Sequence, residues 1–111
     1  MSPVKRALLP ALLVLLTGCD GIREQREARK ICEEGLVLVV DADARLSGPT
    51  LTPLELKRVR GSLTEAIIKL RAGLARNPDK GMFFDPAKYT AALARARTLL
   101  QSVETSLEKM R

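Results

Sequence analysis

The sequence has no histidine and no tryptophan, and it is poor in other aromatic residues. Without histidine, Ser-His-Asp triads, imidazole acid–base chemistry and histidine metal sites are excluded. The glycines are scattered and form no phosphate-binding loop. The two cysteines, Cys19 and Cys32, are too far apart for a Cys-x-x-Cys redox or zinc site. The composition therefore predicts a protein that is not an enzyme and that holds no metal or cofactor.

Carboxylate pairs are present, but their spacing does not suit catalysis. They are Glu33-Glu34 and Asp41 with Asp43. Residues one or two positions apart on a helix point in different directions, so neither pair converges on a substrate. We expect both pairs to be surface charge.

One short apolar run lies near the start of the chain, from Ala7 to Leu16, directly after Lys5 and Arg6. It is too short to span a membrane, which takes about 20 residues. A basic segment, a short apolar segment and then small residues are typical of a secretory signal peptide. The run ends in Leu16-Thr17-Gly18-Cys19, which closely resembles the lipobox of bacterial lipoproteins. The resemblance implies that residues 1–18 are removed and that Cys19 becomes an acylated N-terminus, carrying a diacylglyceryl group and fatty acids such as palmitate.

Asp20 follows that cysteine and resembles the signal that retains many Gram-negative lipoproteins in the inner membrane. It implies a protein held by lipid on the periplasmic face of the inner membrane; the alternative is that Asp20 is an incidental linker residue. Loss of residues 1–18 would leave 93 residues, enough for one domain. It would lower the net charge from +6 to +4, because Lys5 and Arg6 are lost. A positive charge favours anionic phospholipid headgroups, and export argues against nucleic acid as a partner.

Apolar residues recur every three or four positions in three segments, which predicts helices at about 21–45, 53–76 and 86–110. The β-branched run at 36–40 could instead form a strand. No second strand-like run is present to pair with it, so a helix is favoured. Residues 19–30 are largely polar and are predicted to be the lipid anchor and a stalk at the start of the first helix. Residues 31–111 would form the bundle.

Two of the helix boundaries carry specific signals. Thr52 is a predicted N-cap, with Pro53 at the first helical position and Glu55 at the third. Asp85 and Pro86 repeat the arrangement before the third segment. Short connections between three helices of similar length predict an all-α, antiparallel up-down-up three-helix bundle.

Two features outside the helix pattern are candidate sites. Cys32 could be a small buried hydrophobe, an intermolecular disulfide or an inert exposed thiol. The loop before the third helix carries Met82, Phe83 and Phe84. Phe84 precedes the cap, and Tyr89 is the fourth helical residue, which predicts a hydrophobic staple. Met82 and Phe83 could close the end of the bundle, or contact a membrane or a partner.

These observations predict a small lipid-anchored envelope protein that acts by contact, as an accessory or assembly factor for an unidentified protein partner. Exclusion lipoproteins of phages or conjugative elements are similar in size and anchoring, and they provide a second hypothesis. A third is a structural lipoprotein that forms homo-oligomers.

Overall fold

The computed structural model describes the backbone of residues 3–76 and 84–111, and the side chains of 21–76 and 84–111. It contains three helices: α1 (Pro3–Leu46), α2 (Pro53–Ala75) and α3 (Pro86–Lys109). The all-α class and the three-helix bundle are confirmed, and residues 36–40 are helical. α1 differs from the prediction in its start, since it extends back from Gly21 to Pro3. The added segment is rich in leucine and alanine, which are strong helix formers.

The start of α2 is a capping box. The hydroxyl oxygen of Thr52 accepts a hydrogen bond from the backbone N–H of Glu55 at 3.2 Å. In return, the carboxylate of Glu55 accepts from the backbone N–H of Thr52 at 3.1 Å and from its hydroxyl at 2.8 Å. These bonds lower the pKa of Glu55. Pro53 stands at the first helical position, where a missing N–H costs nothing.

The start of α3 uses the second predicted cap. The carboxylate of Asp85 accepts a hydrogen bond from the backbone N–H of Ala87 at 3.2 Å, and Pro86 occupies the first helical position. Two strong start signals therefore define where the second and third helices begin.

The ion pairs between the helices show in which direction each helix runs relative to α1. Lys69 on α2 binds Glu34 at 3.0 Å, and Arg76, the residue directly after α2, binds Glu24 at 2.8 Å, so residue numbers rise along α2 as they fall along α1. On α3, Lys88 binds Glu33 at 2.9 Å and Arg95 binds Asp43 at 3.0 Å, so α3 runs in the same direction as α1. In each of these pairs α1 supplies the acid and its neighbour supplies the base.

The core is a single apolar cluster between the three helices, and every buried side chain in the described residues is apolar or, in one case, a tyrosine. Its fully buried members include Ala28, Cys32, Leu63, Ala66, Leu70 and Ala96.

Packing of α1 against α2 begins inside the predicted stalk at 19–30. Ala28 is completely buried, and Arg76 binds both Glu24 and Glu27. The polar residues of this segment either form ion pairs at the contact with α2 or face solvent, and Ala28, which lies between them, enters the core.

α1 and α2 approach each other closely at two glycines. A Cβ atom on Gly35 would lie 2.9 Å from Cγ of Leu70 and 3.0 Å from the backbone oxygen of Ala66. A Cβ atom on Gly73 would overlap Sγ of Cys32 and lie 3.0 Å from the backbone oxygen of Ala28. Alanine has no room at either position, so the two glycines set the distance between α1 and α2.

Candidate interaction surface

Several predicted site residues lie outside the part of the chain whose side chains are described. Cys19 and Asp20 belong to the helical backbone of α1, but their side chains are not among those described. Met82 and Phe83 lie outside the described residues altogether. Lipidation at Cys19, sorting by Asp20 and the role of the Met82-Phe83 loop therefore stay predictions.

Phe84 does not offer a surface to a membrane or a partner. Only 3% of it is exposed, and its ring stacks on the ring of Tyr89 with centroids 5.4 Å apart. This is the arrangement of the predicted hydrophobic staple, in which the residue before the cap packs on the first turn of the helix. Phe84 must therefore be removed from the candidate contact loop, because the same ring cannot be in the core and on a bilayer.

Cys32 is a core residue of the α1–α2 contact. Its thiol is fully buried and lies 3.9 Å from the backbone oxygen of Leu70. Burial, with a smaller contribution from the charge of Glu33, raises the pKa of the thiol from 9.0 to about 11. The thiolate is the form that attacks another sulfur, so a raised pKa and a buried position both oppose exchange. Of the three alternatives for Cys32, the structure therefore favours the buried hydrophobe over the intermolecular disulfide, since a partner thiol could reach Cys32 only after α1 and α2 separate.

Glu33 joins α1 to the beginning of α3. One carboxylate oxygen accepts hydrogen bonds from the ammonium group of Lys88 and from the hydroxyl of Tyr89, both at 2.9 Å. The bond from Lys88 is the main reason that the pKa of Glu33 is lowered, although partial burial opposes it. Burial and this acceptor raise the pKa of Tyr89. Glu34 instead turns to Lys69 on α2, so the two adjacent carboxylates serve different helices.

The described residues contain no arrangement suited to metal binding. No group of three or more histidine, cysteine, aspartate or glutamate side chains comes together within residues 21–76 and 84–111. Over the same parts of the chain, no helix combines the length and the apolar character that crossing a membrane requires.

An exposed apolar surface lies on the outer side of α1. Val37 and Val40 are one turn apart, and 64% and 60% of their surfaces are exposed. With Leu36, Asp41 and Ala44 they line a shallow groove of about 410 Å³. We call Leu36, Val37, Val40 and Ala44 the α1 apolar surface. Valine side chains hold one preferred rotamer in a helix, so this surface is already ordered before anything binds to it.

Charged residues border this surface. Arg45 and Asp41 form an ion pair at 3.2 Å within α1, and Glu33 and Asp43 are held by bases on α3. An apolar centre with a polar rim is the usual construction of a protein contact surface.

The sequence contained a signal for the α1 apolar surface. The repeat through Gly35, Val39 and Ala42 accounts for the buried face of α1. Val37 and Val40 fall outside that repeat, on the opposite side of the helix. Two apolar β-branched residues on the face that a helix presents to solvent are not explained by the core, so the pattern itself indicates a second apolar surface.

No family model matches the chain, and a comparison with curated proteins and with solved structures finds no similar protein.

Proposed function

We propose that this protein is a lipid-anchored envelope protein without catalytic activity, which acts by binding a partner protein through the α1 apolar surface. The observation that carries the proposal is the exposure of Val37 and Val40 on a helix whose opposite side is fully packed. Exposed apolar side chains grouped on one face are typical of protein contact sites. The proposed anchor is Cys19, on the periplasmic side of the inner membrane.

A stable interface would need more surface than the α1 apolar surface alone. A stable interface buries about 800 Å² on each partner, from 20 to 30 residues. The four side chains of the α1 apolar surface would form only the centre of such an interface. Asp41 and Arg45, which are both about half exposed, would form part of its rim.

The anchor is tested first. Cys19→Ala should abolish acylation and leave unprocessed precursor, since the sulfur is the atom that the lipid modifies. Metabolic labelling with a clickable fatty acid measures this, and equal label on the variant and the original chain would contradict the anchor.

The contact surface is tested by placing a photo-crosslinking amino acid at position 37 in cells. A matched probe at position 98 serves as the control, because Thr98 is exposed on α3, away from the α1 apolar surface. We expect a discrete crosslinked product from position 37 that is absent from position 98 and that is lost with Val40→Glu, which places a charge in the apolar centre.

The identity of the product separates the hypotheses. A product that contains a different envelope protein, is absent from position 98 and is lost with Val40→Glu supports an accessory role. A product that contains a component of an incoming phage or conjugation apparatus supports exclusion. A product containing two copies of this chain supports structural self-association instead. Equal crosslinking from positions 37 and 98, or a product that Val40→Glu does not change, would refute the contact surface.

A further inference from the structure

The first described turns of α1 separate acidic from basic side chains. Glu24 and Glu27 point toward α2, where Arg76 binds them at 2.8 and 3.2 Å. Arg23 and Lys30 lie on the side of α1 that faces away from the buried Ala28, and both are exposed. Both acids are therefore paired with Arg76 at the surface of the bundle, where their side chains stay about half exposed, and the bases Arg23 and Lys30 are presented outward.

The outward bases are not used by the fold. Neither Arg23 nor Lys30 takes part in an ion pair within the described residues, and neither does Arg29, which is also exposed. Arg29 and Lys30 only contribute longer-range attraction to Glu33 and Glu34, which already bind lysines on α3 and α2. Exposed bases that the bundle does not need are available to an external anion.

These bases lie close to the predicted acylation site on the same uninterrupted helix. α1 runs from Pro3 to Leu46, so Arg23 is four residues beyond Cys19, or about 6 Å along the axis, and Lys30 is about 16 Å along it. Side chains of a helix lean toward its N-terminus, which here is the direction of the anchor. Long basic side chains that lean this way can reach the region where the field of an anionic membrane acts, about 8–10 Å from its surface.

An apolar residue belongs to the same segment. Ile22 is 43% exposed and lines a groove of about 560 Å³ along α1 together with Arg23, Arg26, Glu27 and Lys30. An exposed isoleucine among outward bases is typical of a helix segment that enters the boundary between headgroups and acyl chains.

We propose that Ile22, Arg23, Arg29 and Lys30 form a binding site for anionic phospholipid headgroups, here called the basic segment. It rests on the proposed anchor, which delivers the segment to the bilayer. The lipid chains hold the protein to the membrane, and the basic segment selects the anionic headgroups around it and fixes how α1 enters the surface.

The absence of tryptophan from the sequence provides a clean probe. Ile22→Trp places a single tryptophan in the basic segment of the full-length, acylated protein. Ile68→Trp is the matched control, because Ile68 is 62% exposed on α2 and lies far along the bundle from Cys19. Each variant is reconstituted into vesicles of phosphatidylcholine alone or of phosphatidylcholine with phosphatidylglycerol, and flotation, tryptophan emission and quenching by brominated lipid are measured.

We expect the emission from position 22 to shift to shorter wavelength, with stronger quenching, when phosphatidylglycerol is present, and we expect high salt to reverse the shift. Position 68 should not respond. In the Ile22→Trp background, Arg23→Gln with Lys30→Gln should remove the dependence on phosphatidylglycerol. Arg71→Gln, an exposed base on α2, should leave it intact.

The outcomes distinguish this site from the anchor. Flotation with both vesicle types, together with an emission shift at position 22 that depends on phosphatidylglycerol, supports both the anchor and the basic segment. Flotation with both vesicle types but no emission shift that depends on phosphatidylglycerol overturns the basic segment and leaves the anchor in place. A shift that survives Arg23→Gln with Lys30→Gln does the same. Flotation only with phosphatidylglycerol overturns the anchor and supports the basic segment, and flotation with neither overturns both.

Discussion

Replacing Gly73 by alanine tests the packing of α1 against α2 most directly. The added Cβ would overlap Sγ of Cys32 and would lie 3.0 Å from the backbone oxygen of Ala28. The sulfur could turn aside, but the backbone oxygen cannot, so the two helices would have to separate. Gly61 lies in the same helix, is exposed, and would place a Cβ with nothing within 4 Å. Gly61→Ala is therefore a matched control with the same chemical change.

The expected magnitudes follow from two opposing effects. Replacing glycine by alanine inside a helix stabilises it by about 1 kcal/mol, and this gain applies to both positions. Overpacking a core costs about 1–3 kcal/mol, and this cost applies only to Gly73. The difference between the two variants in the free energy of unfolding therefore isolates the steric cost. We expect Gly61→Ala to be stabilising and Gly73→Ala to be less stable than it by about 1–3 kcal/mol.

A third variant identifies the contact responsible. Cys32→Ala removes the sulfur, so Gly73→Ala should be less costly in that background, with a coupling energy of about 0.5–3 kcal/mol. The assay is urea unfolding followed by far-ultraviolet circular dichroism, using the chain from Gly21 onward, which contains every packed side chain described. Equal effects of alanine at positions 61 and 73 would refute the close approach of α1 and α2. The absence of coupling to Cys32 would instead assign the steric cost to the backbone oxygen of Ala28.

Three further predictions concern the core, the thiol and pH. Leu63→Ala should lower the free energy of unfolding by about 2–5 kcal/mol, while the exposed Arg97→Ala should change it by less than about 0.5 kcal/mol; denaturant unfolding measures both, and similar values would mean that the helices do not pack as described. Cys32 should resist alkylation in the folded protein, because a pKa of about 11 instead of 9.0 leaves roughly 100-fold less thiolate near neutral pH and because the sulfur is buried; reaction with an alkylating reagent at the rate seen in denaturant would contradict this. The lowered pKa of Glu33 means that its contribution to stability is present above the unfolded pKa of 4.5 and is lost as pH falls through the lower folded value. Glu33→Gln should therefore reduce the acid dependence of unfolding, whereas Glu104→Gln, at an exposed position on α3, should not; an identical pH profile for both would count against the bond to α3.

The helices could be predicted from the sequence because their signals are local. Thr52, Pro53 and Glu55 form a capping box through atoms three residues apart, and Asp85 with Pro86 acts over an even shorter distance. Such bonds depend on the nearest neighbours alone, so the positions of these boundaries can be inferred without any knowledge of the tertiary fold.

The details of packing could not be inferred in the same way. By intrinsic propensity, Gly73 is expected to weaken α2. Only the position of α1 in the structure shows that no larger residue fits there. Met110 continues the apolar repeat of α3, yet 49% of it is exposed, because the repeat runs past the end of the core. Both depend on which residue of another helix lies opposite, and periodicity along one helix does not contain that information.

The α1 apolar surface could not be predicted from its local sequence alone, for a related reason. Val37 and Val40 belong to a run at 36–40 in which all five residues are apolar and three are β-branched, so the pattern alone does not distinguish valines of the core from valines of the surface. In the structure, the burial of Val39 and the exposure of Val37 and Val40 separate core from surface in this run.

The uninterrupted course of α1 would also limit the distance from the membrane at which the proposed lipid-anchored protein could bind a partner. Many anchored domains hang from a flexible tether and can explore a wide zone above the bilayer. Here the helical backbone passes from Cys19 into the packed bundle without a break. For a chain acylated at Cys19, Val37 lies about 27 Å along the helix from the anchor and Val40 about 32 Å, and any tilt lowers both. In that anchored state, the proposed partner would have to present its complementary surface within this layer above the lipid, and confinement to the layer would raise the effective concentration of the two surfaces without any additional contact.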